Sequence, residues 1–418
     1  MTWLTTAVLA AALAGQPPAP AVAPDSGGAG LTVYLLTFDP GDALWERFGH
    51  NALWIRDSVA GTDLAFDYGR FSFGRTLGQQ LRFFALFAKG DPFYSMGSGD
   101  VRAYLAAYQE AGRSIWSQEL DLPPAARRQL RDFLLWNIQP QNRDYPYNYY
   151  TDNCSTRLRD AIDRVIGGQL KTWAEGVKTT ATYRDHTRRT TENNAVALTA
   201  LMLGLGRPVD RPLSAWEEMF LPISLRPYLD RLSVRDPDGR IHPLVKEERH
   251  LFESNRFQVD PVPGNLALRY LMVGLFAGAV MLGLGLLARV PGRWRRVYVG
   301  AVVLWSLAGG LGGAVLLGLW AFTTHRFSYW NENLLLLNVL SLGVAVVAAR
   351  SHRTGIAGLG RAARLAAIVA ATGLVALAAK VLPGSQSNLD LIALILPIHL
   401  AVAVGLRSLR PATPSLSV

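Results

Sequence analysis

Before residue 265, the spacing of hydrophobic and polar residues changes repeatedly along the chain. Each change predicts the start of a new strand or helix. Short segments that alternate or are continuously apolar predict strands at 31–38, 49–56, 64–69 and 115–120. Segments with apolar side chains every three or four positions predict helices at 76–89, 100–111, 123–138 and 155–166. The remainder is weaker: a helix and loop are expected around 195–205, no element is assigned elsewhere in 168–210, and residues 234–262 are expected to form an extended linker.

Five long apolar segments follow, each close to the about 20 residues that cross a bilayer. They are 266–288, 297–321, 333–349, 365–382 and 390–406. Because these segments are apolar on all sides and follow one another directly, they predict a transmembrane domain at 263–410 rather than the core of a soluble domain. Residues 411–418 then form a cytoplasmic tail.

Arginines in alternate connecting loops predict the orientation. The loop 289–296 and the loop 350–364 each hold four arginines and no acidic residue, and the tail adds Arg407 and Arg410. The positive-inside rule places these segments in the cytoplasm and the N-terminal domain on the other side. These ten arginines equal the formal net charge of +10, so the rest of the chain is neutral and gives no reason to expect a nucleic-acid partner.

The first 23 residues are apolar and Ala-rich and end in Ala-Val-Ala, which is typical of a secretory signal peptide. Since this segment lacks Lys and Arg near its start, an uncleaved anchor is the alternative. An extracytoplasmic domain at 24–262 follows. We therefore expect a protein of the bacterial inner membrane whose N-terminal domain faces the periplasm.

Cys154 is the only cysteine in the chain and cannot form an intramolecular disulfide. It directly precedes the predicted helix 155–166, so it lies at a helix N-terminus, where the dipole favours the thiolate. The thiol is therefore either a small buried side chain or a nucleophile, and its position favours the nucleophile.

A cysteine nucleophile requires a base, and His50 is the best candidate because it lies in a predicted strand and follows Gly49. Asp67, on the next strand, is the first choice to orient His50, although it could instead pair with Arg70. Asn153 could stabilise an oxyanion or only cap the helix. Tyr68 is a further candidate for contact with the substrate or the oxyanion.

Two other segments suggest contact with lipid. Residues 81–89 are unusually aromatic and could meet the bilayer interface, line an acyl groove or pack in the core. The loop 323–333 joins the second and third spans and contains His325 and Asn333, which are more polar than a short connection requires. Both residues are candidates for handling the substrate.

Three sequence strings resemble the bacterial DUF4105 family, which includes the Lnb-type lipoprotein N-acyltransferases. They are Gly-His-Asn-Ala-Leu-Trp-Ile at 49–55, Phe-Asp-Tyr-Gly at 66–69 and Asp-Asn-Cys-Ser-Thr-Arg-Leu-Arg-Asp at 152–160. An Asn-Cys step that opens a helix, with the histidine upstream, also resembles the permuted papain-like proteins of the NlpC/P60 and lecithin–retinol acyltransferase group. The resemblance implies an α+β, permuted papain-like domain ahead of the five-helix transmembrane bundle.

The resemblance also implies a cysteine-dependent acyltransferase without cofactor or metal. Cys154 would take a fatty acyl chain from a membrane phospholipid as a thioester, with His50 as base, and pass it to the N-terminal amine of a diacylglyceryl-cysteine lipoprotein. Two alternatives remain open: a peptidoglycan or peptide hydrolase of the NlpC/P60 type, and a membrane assembly factor without catalysis. Peptide hydrolysis would not require five spans.

Overall fold

The computed structural model describes residues 27–90, 92–256, 258–260 and 262–409. The chain divides into two compact units. The N-terminal unit comprises Met1–Asn193 and Pro212–Val262, and the C-terminal unit comprises Asn194–Arg211 and Pro263–Val418. The predicted signal peptide and cytoplasmic tail lie outside the described residues.

A seven-stranded antiparallel sheet organises the N-terminal unit, with the strand order β11-β5-β1-β2-β3-β4-β6. The described strands are β1 Leu31–Phe38, β2 His50–Asp57, β3 Thr62–Arg70, β4 Phe93–Asp100, β5 Ile115–Leu120, β6 Asp144–Pro146, β7 Lys178–Thr182, β8 Pro212–Ser214, β9 Ser233–Arg235, β10 Ile241–Pro243 and β11 Val245–Phe252. Strands β7 with β8 and β9 with β10 form two separate pairs. The four strands predicted from sequence are confirmed as β1, β2, β3 and β5.

The described α-helices divide between the two units. They are α1 Leu77–Lys89, α2 Val101–Glu110, α3 Pro124–Asn137, α4 Cys154–Val165, α5 Gln169–Gly176, α6 Tyr183–Thr191, α7 Ala195–Gly204, α8 Ala215–Glu218, α9 Pro222–Arg231, α10 Ala267–Leu287, α11 Arg293–Phe322, α12 Leu340–Ala349, α13 Ser351–Ala378 and α14 Leu389–Arg407. Helix α7 and helices α10 to α14 belong to the C-terminal unit. The four helices predicted in the N-terminal unit are confirmed as α1 to α4.

Helices cover both faces of the sheet, as the alternation of side chains along its strands requires. Leu53 and Phe66 point to the face that packs against α3, α4 and α9, where the larger core lies. Ala52 and Ala65, one residue earlier on the same strands, point to the opposite face and pack against α2. Helix α4 is therefore held against the sheet by a buried stripe that includes Leu158 and Ile162.

The expectation of an extended linker at 234–262 is wrong for the segment that forms β11. This strand pairs with β5 at the edge of the seven-stranded sheet. Its residues from Lys246 to His250 are exposed, and Glu247 forms an ion pair with Arg249. Charged side chains are common on edge strands because they discourage pairing with other chains. The charged composition of this edge strand therefore resembles that of a linker.

Five helices in the C-terminal unit are long and apolar enough to cross a membrane, counted over the described residues. They are Ala267–Leu287, Arg293–Phe322, Glu332–Ala349, Ala357–Val381 and Leu389–Arg407. Glycines allow neighbouring helices to approach closely: a Cβ at Gly274 would lie 2.4 Å from the carbonyl oxygen of Ala393, and one at Gly313 would lie 2.5 Å from that of Leu337. The predicted class, a mixed α/β domain followed by five apolar helices, is confirmed.

Candidate active site

Cys154 is the first residue of α4 and is partly exposed. Asn153 caps the helix, because its side-chain oxygen accepts hydrogen bonds from the backbone N–H groups of Ser155 and Thr156, both at 2.9 Å. Within the described part of the chain, no hydrogen bond occupies the N–H of Cys154 itself. The start of α4 therefore presents a thiol and a free backbone donor on the same residue.

His50 is the first residue of β2 and follows a glycine that its position requires. Gly49 has a φ of +80°, and a Cβ there would lie 2.9 Å from the carbonyl oxygen of Phe38. The Nε2 atom of His50 lies 3.0 Å from an Asp67 carboxylate oxygen. Cys154 lies close enough to this ring to raise the pKa of His50. Since Asp67 engages Nε2, Nδ1 is the nitrogen that remains for the thiol.

Asp67 lies on β3 and is held by three donors. Its Oδ2 contacts His50, while its Oδ1 accepts hydrogen bonds from Arg70 Nε at 2.8 Å and from the Tyr104 hydroxyl at 2.9 Å. The two roles considered for Asp67 are thus compatible: it pairs with Arg70 and still orients His50. The side chain of His50 is 16% exposed and that of Asp67 only 6% exposed. Exposure therefore increases along this hydrogen-bonded row of side chains, from Asp67 to His50.

The electrostatics at this site lower the pKa of Asp67 and raise that of His50. Burial raises the pKa of Asp67, but Arg70 and the hydrogen bonds from His50 and Tyr104 lower it more, so the net shift is downward. Burial lowers the pKa of His50, but charge interactions with Tyr108 and Cys154 and the hydrogen bond to Asp67 place it well above its usual value. The site can therefore hold a proton on His50 next to the thiol.

A β-bulge brings β3 against the start of α4. The pairing of β3 with β4 changes register between Asp67 and Arg70, which inserts one extra residue into β3. Gly69 lies in this bulge with a φ of +96°, and a Cβ there would lie 3.5 Å from the Cβ of Cys154. A side chain at position 69 would thus be strained and would touch the side chain of Cys154.

The segment that contains α8 supports the beginning of α4. Ser155 Oγ donates to the Met219 carbonyl at 2.7 Å, and the Asn153 amide donates to the Phe220 carbonyl at 3.0 Å. The preceding residue, Glu218, accepts a hydrogen bond from His186 Nε2 at 2.8 Å. Arg189 donates to the other ring nitrogen of His186 at 3.0 Å, which fixes the proton of the neutral ring on Nε2. Through Glu218, His186 therefore helps to position the backbone carbonyls that contact the start of α4.

The other predicted residues of the N-terminal unit have different surroundings. The amide hydrogens of Asn153 are used by the carbonyls of Tyr149 and Phe220, so the geometry gives Asn153 a capping role. Tyr68 is buried in the larger core, and its hydroxyl donates to Asn137. Neither side chain has a polar group directed at the thiol in this arrangement.

His325 and Asn333 belong to the C-terminal unit. His325 is partly exposed at the start of a 3₁₀ turn, Arg326–Ser328. Asn333 is fully buried and donates to the carbonyls of Met202 and Leu203 at 3.1 and 3.0 Å. Its carbonyl oxygen accepts from Asn388 at 2.7 Å. The contacts of Asn333 therefore fix the end of α7, a helix that the sequence had placed in the extracytoplasmic domain.

Asn333 is one member of an amide cluster in the C-terminal unit, formed by Asn331, Asn333, Gln386 and Asn388. Asn331 donates to the Leu203 carbonyl at 2.7 Å, and Gln386 donates to the Leu205 carbonyl at 2.9 Å. The last four carbonyls of a helix lack partners within the helix, and side-chain amides supply them here. Beside the cluster, Lys380 and Glu332 form an ion pair at 2.6 Å.

Sequence reasoning missed two side chains that shape the site, Tyr104 and Tyr108 on α2. Tyr104 donates to Asp67, and the ring of Tyr108 lies 6.2 Å from that of His50, nearly parallel to it. Both are spaced as ordinary core residues of an amphipathic helix, so no sequence signal distinguishes them. Among the described residues, no three His, Cys, Asp or Glu side chains are placed to hold a metal ion.

Comparison with known families gives a match in the first half of the chain. Residues 26–189 match the family described as the Lnb N-terminal periplasmic domain. The matched region contains His50, Asp67 and Cys154 and supports a relationship to the Lnb proteins over this part of the chain. No curated protein and no solved structure matches the chain.

Proposed function

We propose that this protein is a lipoprotein N-acyltransferase of the inner membrane that works through a thioester on Cys154. One observation carries the proposal: Asp67 lies 3.0 Å from Nε2 of His50, and the Cys154 thiol at the start of α4 is close enough to the same ring to raise its pKa. A nucleophile, a base and an orienting carboxylate in this order can activate a thiol for acyl transfer. The match to the Lnb periplasmic domain supports lipoproteins as the substrate class.

In the first half-reaction, His50 Nδ1 accepts the thiol proton, and the Cys154 thiolate attacks the ester carbonyl of a glycerolipid. We assign the hydrogen bond to the oxyanion that forms to the backbone N–H of Cys154. When the tetrahedral intermediate collapses, the carbon–oxygen bond breaks and His50 returns its proton to the departing alcohol. The products are the Cys154 thioester and a lipid with one acyl chain fewer.

In the second half-reaction, the N-terminal amine of a diacylglyceryl-cysteine lipoprotein attacks the thioester carbonyl. His50 accepts a proton from the amine, the carbon–sulfur bond breaks and the Cys154 thiolate is released. Asp67 remains ionised throughout and stabilises the imidazolium in both steps. The lowered pKa of Asp67 and the raised pKa of His50 suit these roles.

The five apolar helices support a reaction at a membrane surface, because donor and acceptor are both anchored in the bilayer. We place the N-terminal unit in the periplasm, on the basis of the basic loops and of the matched domain. The donor is proposed to be a phospholipid. The diacylglyceryl group of the acceptor also contains fatty acyl esters and could supply the acyl chain. A test therefore has to label the acyl chains of the phospholipid and of the acceptor separately.

The decisive experiment is acyl transfer by the full-length protein in proteoliposomes. A tagged acyl chain is supplied in a phospholipid or, in a second arm, in a diacylglyceryl lipopeptide. We expect a hydroxylamine-sensitive adduct on Cys154 and then an N-acylated lipopeptide by mass spectrometry, both absent from the Cys154→Ala variant. Loss of both adduct and product in both arms, together with cleavage of muropeptides, would replace the proposal with a peptidoglycan hydrolase.

A further inference from the structure

An exposed apolar surface on the N-terminal unit plays no part in the proposed chemistry. We call it the aromatic face. It consists of Trp45, Phe73, Leu77, Leu81, Phe84 and Phe87, which are between 38% and 71% exposed. Ring contacts at 5.8 to 6.2 Å join Trp45 to Phe73 and Phe73 to Phe84, so the aromatic side chains form one continuous surface.

Helix α1 displays its apolar stripe instead of burying it. Leu77, Leu81, Phe84 and Ala88 follow the three- and four-residue spacing of one helix face, and all four are exposed. No residue of α1 is buried. An apolar stripe on a stable surface helix normally faces a core, and a contiguous exposed patch of this kind marks an interaction surface.

The charges around the aromatic face indicate the partner. Residues 71–90 contain Arg75, Arg82 and Lys89 and no acidic residue. A helix with aromatic and aliphatic residues on one side and only basic charges beside them suits a bilayer with anionic headgroups. The same chain carries the five membrane-spanning helices, and residues 253–266 connect β11 to the first of them. A bilayer is therefore always present at high effective concentration.

We propose that the aromatic face inserts into the bilayer surface, with α1 lying in the plane of the interface. The apolar side chains then enter the boundary between headgroups and acyl chains, to a depth of about 5–10 Å. Arg75, Arg82 and Lys89 remain at the level of the anionic headgroups. This contact attaches the N-terminal unit to the bilayer at a second point, in addition to its covalent connection to the membrane-spanning helices.

The aromatic face is continuous with the candidate active site. Phe83 of α1 stacks on Phe71 at 5.8 Å, Phe71 contacts Tyr94 at 5.0 Å, and Tyr94 stacks on Tyr147 at 4.1 Å. Tyr147 and Cys154 both pack against the larger core. If the proposed function holds, the ester of a lipid in the same bilayer reaches the thiol along this row of rings. The membrane contact itself does not depend on the reaction.

Depth-dependent fluorescence quenching tests the contact on the full-length protein. Cys154→Ser removes the only thiol and the proposed chemistry together. A single cysteine is then introduced as Leu81→Cys or Phe84→Cys and labelled with an environment-sensitive dye. The matched control is Gln129→Cys, at an exposed polar position on α3. Vesicles of phosphatidylglycerol and phosphatidylethanolamine carry lipids brominated on the upper acyl chain.

We expect quenching at positions 81 and 84 to exceed that at position 129 by about threefold or more, with blue-shifted emission. Equal quenching at all three positions, whether weak or strong, would overturn the proposal, because the contact would then be absent or not specific to α1. Thermal unfolding of each labelled protein verifies the fold. As all variants lack Cys154, failure here is distinct from failure of the acyl-transfer proposal.

Discussion

The Cys154 site and the amide cluster are both polar networks in apolar surroundings, but they end on different groups. In the N-terminal unit, hydrogen bonds join Tyr104 to Asp67 and Asp67 to His50, whose ring lies beside a partly exposed thiol. In the C-terminal unit, Asn331 and Asn333 end on buried backbone carbonyls. The first network ends at a sulfur atom that can form a covalent bond with a substrate. The second ends at carbonyl oxygens that require only a hydrogen-bond donor.

This difference is chemical. His exchanges a proton near neutral pH while Asp stays ionised beside it, whereas an amide side chain donates hydrogen bonds but does not titrate. Asn333 in an apolar unit therefore satisfies carbonyls that would otherwise be costly to bury. From sequence, His325 and Asn333 are predicted to handle the substrate, and in the structure the amide of Asn333 donates to two backbone carbonyls. The two networks should consequently respond to mutation in different measurements.

The largest effect is expected for His50→Gln. Gln preserves a polar side chain but cannot accept the thiol proton, so acyl-enzyme formation should fall by about 10³-fold or more. Single-turnover labelling of Cys154 by a tagged lipid measures the rate. The unfolding temperature should stay close to that of the wild type. The control is His242→Gln, because His242 is paired with Asp121 and Asp236. Loss of labelling in both variants would contradict the proposed role of His50.

Asn333→Ala should have the opposite profile. The carbonyls of Met202 and Leu203 and the amide of Asn388 would lose partners, at a cost of about 2–3 kcal/mol in the free energy of unfolding. Thermal unfolding in detergent micelles measures the loss, and the protein that stays folded should label Cys154 normally. Asn338→Ala is a milder control, because Asn338 donates to the Thr372 hydroxyl at 3.2 Å. A stable Asn333→Ala protein without labelling would return Asn333 to a direct role in substrate handling.

Sequence patterns located the elements that present Cys154 and His50 because apolar periodicity is strong there. Helix α4 buries Leu158 and Ile162 at helical spacing, and β2 alternates between Ala52 and Leu53 on its two faces. Adjacent strands then place Asp67 near His50. The bulge at Gly69 was not predictable, since it depends on the register of β3 with β4 rather than on composition.

Polar burial explains the segments that sequence reasoning missed. Helix α6 buries Arg184, Thr187 and Thr191, so its inward face has no apolar periodicity to detect. Helix α7 is apolar enough to be found, but its placement in the C-terminal unit depends on amides more than a hundred residues away. Patterns that identify helices one at a time cannot reveal such long-range partners.

The pH dependence of acyl-enzyme formation tests the role of Asp67 in the Cys154 site. Asp67→Asn keeps the shape of the side chain but removes the negative charge that favours the protonated His50, so the pKa of His50 should fall. The limb of the pH–rate profile that His50 governs then moves to lower pH, and acyl-enzyme formation slows by about ten- to a hundredfold at neutral pH. Alkylation of Cys154, the only thiol, reports the same shift without a lipid. Asp63→Asn, at a partly exposed position on the same strand, is the control.

The smallest effect is expected for Ser155→Ala, which tests how firmly the start of α4 depends on its support. The Met219 carbonyl would lose a donor, at a cost of about 1 kcal/mol in stability. Labelling of Cys154 should slow by less than about threefold, since Asn153 still caps the helix. Asn153→Ala removes the cap and the bond to Phe220 together and should slow labelling more. If Ser155→Ala abolished labelling in a stable protein, its hydroxyl would have to contact the reacting groups, and the distinction between supporting and reacting residues at this helix would fail.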